Sequence, residues 1–187
     1  MALIVLADTT ALINLFLCGR MEVLQALTGG NAFWTSTLRR ECLHRELVGT
    51  DPGELRLDGL VAAADAILGE PIAPEEDEHR PIRDLRQQMA RPGEHPDQHL
   101  GEAEVIVVVQ KRRWDAIFVT DDGGARRFAA GSPRCIDSWD LLKAAQRRGI
   151  LLERDLWKAR TDLKHHGRLG AKSAFIRPDA FREWLAQ

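Results

Sequence analysis

The chain has 187 residues, 44% of them hydrophobic, which suits one domain with a proper core and argues against a disordered tail. A net charge of −2 advertises no general affinity for nucleic acid, so any such function must rest on a local patch. The three cysteines, Cys18, Cys42 and Cys135, form no CxxC pair and no zinc pattern and read as reduced thiols; with no basic leader and an N-terminal apolar run too short to span a bilayer, the expected location is the cytoplasm, with no membrane partner.

The run Leu3-Ile4-Val5-Leu6-Ala7 has no alternation and suits a strand buried on both faces, ending at Asp8-Thr9-Thr10. Leu12, Ile13, Phe16 and Leu17 then form a helical stripe closed by Gly19, and Met21–Leu27 is a second short helix broken by Gly29-Gly30. Ala32–Thr35 reads as a second strand. Ser36 or Thr37 caps a helix to about Leu47 that carries Leu38, Cys42 and Leu43 on one side. Residues 48–98 follow a weaker pattern, like a variable insert. It comprises a turn at Asp51-Pro52-Gly53, a helix over Leu60–Leu68, a short strand within Gly69–Ala73, a solvated acidic helix start at Pro74–Glu78 running to Met89, and a loop from Arg91 to Asp97. Gly101–Lys111 is a strongly apolar helix, Ala116–Thr120 a buried strand, Asp121–Gly124 a turn into a helix over Ala125–Ala130, and Cys135-Ile136 a brief strand. Ser138 caps a helix over Trp139–Arg147. The segment 151–187 offers helices at about Asp155–Leu163 and Pro178–Leu185 and reads as a helical C-terminal extension packed on the domain of residues 1–150. Strands alternating with helices predict an α/β three-layer sandwich with a mostly parallel central sheet flanked by helices.

The acids fall in a pattern. Asp8 ends the first strand, Glu41 lies early in the helix after the second, Glu102 opens the apolar helix, and Asp121 and Asp122 end the strand Ala116–Thr120. Strand ends and helix starts lie on one edge of such a sheet. Carboxylates crowded there repel one another unless a cation neutralises them, and the absence of a competing His/Cys set points to hard Mg²⁺ or Mn²⁺. Such an ion activates water and steadies the leaving oxygen of a phosphodiester.

Asp8-Thr9-Thr10-Ala11-Leu12-Ile13, then Gly101-Glu102-Ala103-Glu104, then Thr120-Asp121-Asp122 with Ala125-Arg126 together resemble the PIN-domain nucleases, and within them the VapC-type toxins of prokaryotic toxin–antitoxin pairs. The likeness covers residues 1–150, and the fold it implies is PIN-like. It also implies an endoribonuclease that uses Mg²⁺ or Mn²⁺, cleaves RNA by in-line attack of water, and leaves a 5′-phosphate and a 3′-hydroxyl. Its catalytic acids would be Asp8, Glu41, Glu102 and Asp121 or Asp122 or both, with metal held by Asp8, Glu102, Asp122 and Asp121. Thr9, Thr10 and Arg126 are the candidate substrate contacts. The implied sheet order sets the first strand beside Ala116–Thr120. A small antitoxin protein and a homodimer are the implied partners besides RNA.

Each residue also has a plainer reading. Asp8 is a good helix N-cap, Asp121-Asp122-Gly123-Gly124 a good turn, Glu102 a favourable first-turn acid, and Glu41 and Glu104 surface positions on helices. His95 and His99 stand four apart, but Pro96 lies between them and they read as exposed. The basic segment Lys164–Arg168 is either a phosphate contact or a solvated loop. Rivals from other classes are a non-catalytic PIN-like module that binds RNA or protein, and a haloacid-dehalogenase-type phosphatase. The latter needs a second acid two residues after Asp8, where this chain has Thr10.

Overall fold

The computed structural model describes residues 3–48 and 57–187. The expected turn at Asp51-Pro52-Gly53 lies outside the described residues.

Strand β1 (Ile4–Ala7) leads into helix α1 (Thr9–Leu17), for which Asp8 is the N-cap. Helix α2 (Glu22–Thr28) ends at Gly29, whose φ of 62° is the left-handed conformation that glycine adopts without a steric penalty. Strand β2 (Ala32–Phe33) is shorter than expected. Beyond it Thr35 makes a single parallel bridge to Ile72, which is all that forms of the short strand expected within Gly69–Ala73. Helix α3 spans Ser36–Val48 and α4 Leu60–Leu68. A 3-10 turn at Glu76–Glu78 enters α5 (His79–Met89), and α6 covers Leu100–Arg112. Then come β3 (Ala116–Val119), α7 (Gly123–Ala129), β4 (Arg134–Ile136) and α8 (Ser138–Arg147). Helix α9 (Glu153–His165), a kinked 3-10 stretch at Gly170–Ile176 and α10 (Pro178–Ala186) complete the chain.

The four strands form one sheet in the order β2-β1-β3-β4, and every pairing is parallel. All four residues of β3 are buried. Alternate residues of a strand point to opposite faces, so both faces are covered, and the sheet is the middle layer of a three-layer α/β arrangement. The chain leaves β1 toward β2 on one side and returns as β3 on the other. The strand order therefore reverses between β1 and β3, where open parallel sheets leave a crevice at the strand C-termini. No helix among the described residues is long and apolar enough to cross a membrane.

Several side chains depart from their sequence reading. Helix α6 is buried nearly all round, through Ala103, Val105, Ile106, Val107, Val108 and Val109. Glu104 is therefore not solvent-facing: it is buried, and its carboxylate accepts from the Thr37 amide at 3.2 Å and the Thr37 hydroxyl at 2.5 Å. Thr37 thus serves a distant acid and does not cap α3. Leu43 leaves the apolar side of α3 for solvent, while Leu38 and Cys42 are buried as expected. The acidic start Glu75–Glu78 is not wholly solvated either, since Glu78 is buried and takes Arg112 on both oxygens, at 2.9 and 2.7 Å. The cap of α8 is Asp137, whose Oδ1 accepts from the Asp140 amide at 2.7 Å, and not Ser138.

The C-terminal segment packs on the rest of the chain through an aromatic cluster. Trp139 of α8 meets Phe175, Phe181 and Trp184 edge-on at centroid distances of 5.2, 5.7 and 6.0 Å. Arg20 binds Asp155 at 2.9 Å, and Lys143 donates to the carbonyls of Trp184 and Leu185.

Candidate active site

The register of the sheet builds the site. Ala7 pairs with Val119, and Val119 with Ile136, so Asp8, Thr120 and Asp137 leave the sheet at one level and on one edge. Each strand then turns into a helix. Asp8 Oδ1 caps α1 by accepting from the Ala11 amide at 2.6 Å, and Asp122 Oδ1 caps α7 through Ala125 at 2.7 Å. Both residues cap a helix, and capping does not take them out of the cleft: the helix start fixes one oxygen and leaves the rest of the carboxylate to line it.

That cleft has a volume of about 960 Å³, and Asp8, Thr10, Glu41, Glu102 and Asp122 line it. Glu41 reaches it from α3. Its Oε2 accepts from the Thr9 hydroxyl at 2.7 Å, and its carboxylate also takes the Gly101 amide. Thr9 thus positions an acid, whereas Thr10 is exposed at the cleft. Glu102 reaches the cleft from the first turn of α6. Helices α3 and α6 approach so closely that a Cβ on Gly101 would lie 2.6 Å from Leu38 Cδ2 and 2.9 Å from Glu41 Oε1, so only glycine fits there without displacement.

The two neighbouring aspartates divide. Asp121 turns toward α8 and α1, taking the Ser138 amide at 3.0 Å, the Ser138 hydroxyl at 2.8 Å and the Asn14 side-chain amide at 2.7 Å. Asp122 faces Glu102 across the cleft. Between them the buried Thr120 hydroxyl accepts from the Asp122 amide at 3.0 Å and hydrogen-bonds the Asp8 carboxyl.

Crowding and burial leave these acids short of positive charge. Burial, reinforced by Asp121 and Glu102, pushes the Asp8 carboxyl up to about 8 against the opposing pull of its hydrogen bonds. Glu41 is raised by burial although Thr9 and Gly101 bond it. Glu102 is raised by burial and by the charges of Glu41 and Asp122.

His99 corrects its sequence reading as an exposed loop residue. It is half-buried, with its side chain 15% exposed, and one ligand atom from each of His99, Glu102 and Asp122 lies within 4.8 Å of the others. Its Nδ1 is buried with no hydrogen-bond partner. His95, by contrast, is exposed as expected. Two carboxylates and one orphaned imidazole nitrogen make a donor set that could hold a metal ion.

Basic residues at the cleft are Arg40, Arg45 and Arg168. Arg126 is held elsewhere, donating to the Thr120 carbonyl at 3.1 Å and lying 3.7 Å from Asp137. Arg168 comes from the loop after α9 and donates through Nε to Asn14 Oδ1 at 2.7 Å, which links the C-terminal segment through Asn14 to Asp121. Sequence reasoning gave no site role to Asn14, Thr120 or Ser138, and it held Lys164–Arg168 open as a phosphate contact or a solvated loop without linking Arg168 to Asn14. The available signal was Asn14, a lone polar amide on the apolar stripe of α1. Set against models of protein families, curated proteins and solved structures, the chain matches none of them.

Proposed function

We propose that this chain is a PIN-like, metal-dependent endoribonuclease of the kind found as toxins of toxin–antitoxin pairs. The observation that carries the reading is the convergence of Asp8, Glu41, Glu102 and Asp122, from four separate stretches, on one cleft at the switch point of a parallel sheet. Buried carboxylates whose ionisation is opposed by their surroundings are the arrangement a divalent cation relieves. When bound, Mg²⁺ or Mn²⁺ supplies the charge that polarises a phosphodiester and eases deprotonation of water. Asp8, Glu102 and Asp122 would hold the ion, and Glu41 adds fixed negative charge at a position set by Thr9 and Gly101. Asp121, tied to Ser138 and Asn14, stiffens the β3–α7 turn and is a positioning residue in this reading. Arg40, Arg45 and Arg168 at the cleft offer phosphate contacts, a local patch on a chain of net charge −2. In the reaction, water attacks phosphorus, the bond to the 3′-oxygen breaks, and the products carry a 5′-phosphate and a 3′-hydroxyl.

The test is cleavage of total cellular RNA by purified protein freed from partners. Cleavage is expected with Mg²⁺ or Mn²⁺, and is expected to stop with chelator and to fall at least a hundredfold in Asp8→Asn. Undiminished cleavage by Asp8→Asn would place the chemistry elsewhere. No cleavage of any RNA, with RNA binding retained, would favour the non-catalytic binding module. A short reading frame beside the gene, encoding a protein that blocks the cleft, is the expected companion if the nuclease is a toxin.

A further inference from the structure

The resemblance implies carboxylates at this centre, yet the loop before α6 brings a nitrogen donor to it. His99 is the residue preceding α6, and its φ of 65° is the left-handed conformation, which few non-glycine residues adopt and which recurs where a side chain must be aimed. The loop that carries it is pinned from α5: Arg86 donates to the carbonyls of His95 and Gln98, at 2.6 and 3.0 Å. On one side of the ring, Nε2 lies 3.4 Å from Glu94 Oε2. The pair stands at ion-pair distance without hydrogen-bond geometry; a carboxylate on that side still makes Nε2 the favoured place for the ring hydrogen, which leaves the lone pair on Nδ1. On the other side, Nδ1 is buried, has no hydrogen-bond partner and sits 3.9 Å from Glu102 Oε1, too far for a hydrogen bond. A buried lone pair without a donor is costly unless something else fills the position. A carboxylate behind the ring, a bare nitrogen in front and two acids beside it make the arrangement in which a histidine binds a metal.

Resting on the metal-dependent reading above, we infer that His99 is a ligand of the divalent cation through Nδ1, with Glu94 as its positioning residue, and that it biases the centre toward Mn²⁺ over Mg²⁺. Both ions favour oxygen, but manganese, a transition metal, accepts an imidazole nitrogen more readily than magnesium, which keeps its waters. His99 thus adds to Mn²⁺ affinity what it cannot add to Mg²⁺.

Electron spin echo envelope modulation of the full-length protein loaded with Mn²⁺ tests this directly, because a coordinated imidazole nitrogen imprints its hyperfine coupling on the echo decay. The coupling is expected in the unmodified protein and absent in His99→Gln. Titration is expected to show the ratio of Mn²⁺ to Mg²⁺ affinity falling about tenfold or more in His99→Gln. In Glu94→Gln the coupling should persist while Mn²⁺ affinity falls several-fold. Thermal melts of the chelated variants confirm that both fold. Bound Mn²⁺ without nitrogen coupling, or an affinity ratio unchanged in His99→Gln, overturns the role of His99 and leaves the carboxylate centre standing. No protein-bound Mn²⁺ at all overturns the metal reading, and this inference with it.

Discussion

Asp8 carries two duties that conflict in the absence of a cation. Its Oδ1 caps α1, a duty that favours the ionised form, while burial beside Asp121 and Glu102 disfavours that form more strongly. The folded metal-free protein therefore holds a proton on Asp8 up to about pH 8, whereas the unfolded chain releases it near 3.8. Between those values the folded state binds more protons than the unfolded one, so the contribution of Asp8 to stability is lost as pH rises, with a slope approaching about 1.4 kcal/mol per pH unit. Glu41 and Glu102 are shifted the same way and add to it. Thermal melts of the chelated protein between pH 5 and pH 8 are expected to show stability falling across that window. Mn²⁺ should flatten the dependence, and Asp8→Asn, which keeps the shape without the charge, should raise the melting temperature at pH 8 by several degrees. A chelated protein that grows more stable over that range would contradict the electrostatic account of the site.

At the scale of elements, the contact of α3 with α6 sets the spacing of Glu41 and Glu102. Gly101 permits it, because a methyl group there would lie 2.6 Å from Cδ2 of the buried Leu38, so that the helices or the Leu38 side chain must shift. Gly101→Ala is expected to cost about 1–3 kcal/mol by overpacking. It should also move Glu41, so that cleavage falls more than the loss of stability explains; chemical denaturation and cleavage rates on the same preparation separate the two. A stable Gly101→Ala with full activity would mean that the helices part without consequence. The elements themselves were largely readable, because unbroken apolar runs mark β1 and β3 and helical periodicity marks α1, α4 and α8. What local pattern could not reveal depends on partners far along the chain. Glu104 seemed exposed because α6 is apolar on nearly every side and gives no polar face to compare, and its partner Thr37 lies 67 residues away. His99 seemed exposed because Pro96 marks a loop, and nothing local says that Arg86 folds that loop over the acids. The different directions of Asp121 and Asp122 likewise depend on Asn14 and Ser138, which approach Asp121 only once the sheet has formed. The strand within Gly69–Ala73 shrank to one bridge at the edge of the sheet, where β2 itself is only two residues long.

Across the whole molecule, the C-terminal segment is more than a cover for the aromatic cluster, because Arg168 brings it to the cleft. The Nε of Arg168 holds Asn14, Asn14 holds Asp121, and Arg168 itself lines the cleft with Asp8 and Asp122. Two roles follow from one side chain: the guanidinium meets a substrate phosphate, or it acts only by stiffening the turn that carries Asp121 and Asp122. Kinetics distinguish them. A phosphate contact made equally in the bound substrate and the transition state is lost as affinity, so Arg168→Ala should raise KM for RNA, with kcat nearly unchanged. A charge-assisted hydrogen bond of about 1.5–3 kcal/mol corresponds to roughly tenfold or more. Arg168→Lys should recover part of that loss, since an ammonium still meets phosphate but lacks the fork that serves Asn14 at the same time. The dependence of KM on salt should become shallower in the alanine variant, where a phosphate contact has gone, and stay as in the unmodified protein in the lysine variant. If instead kcat falls in both variants while KM and the salt dependence stay put, Arg168 works through Asn14 and Asp121. The C-terminal segment is then a brace for the acidic cleft, and Arg40 and Arg45 on α3 are left as the candidates to meet phosphate.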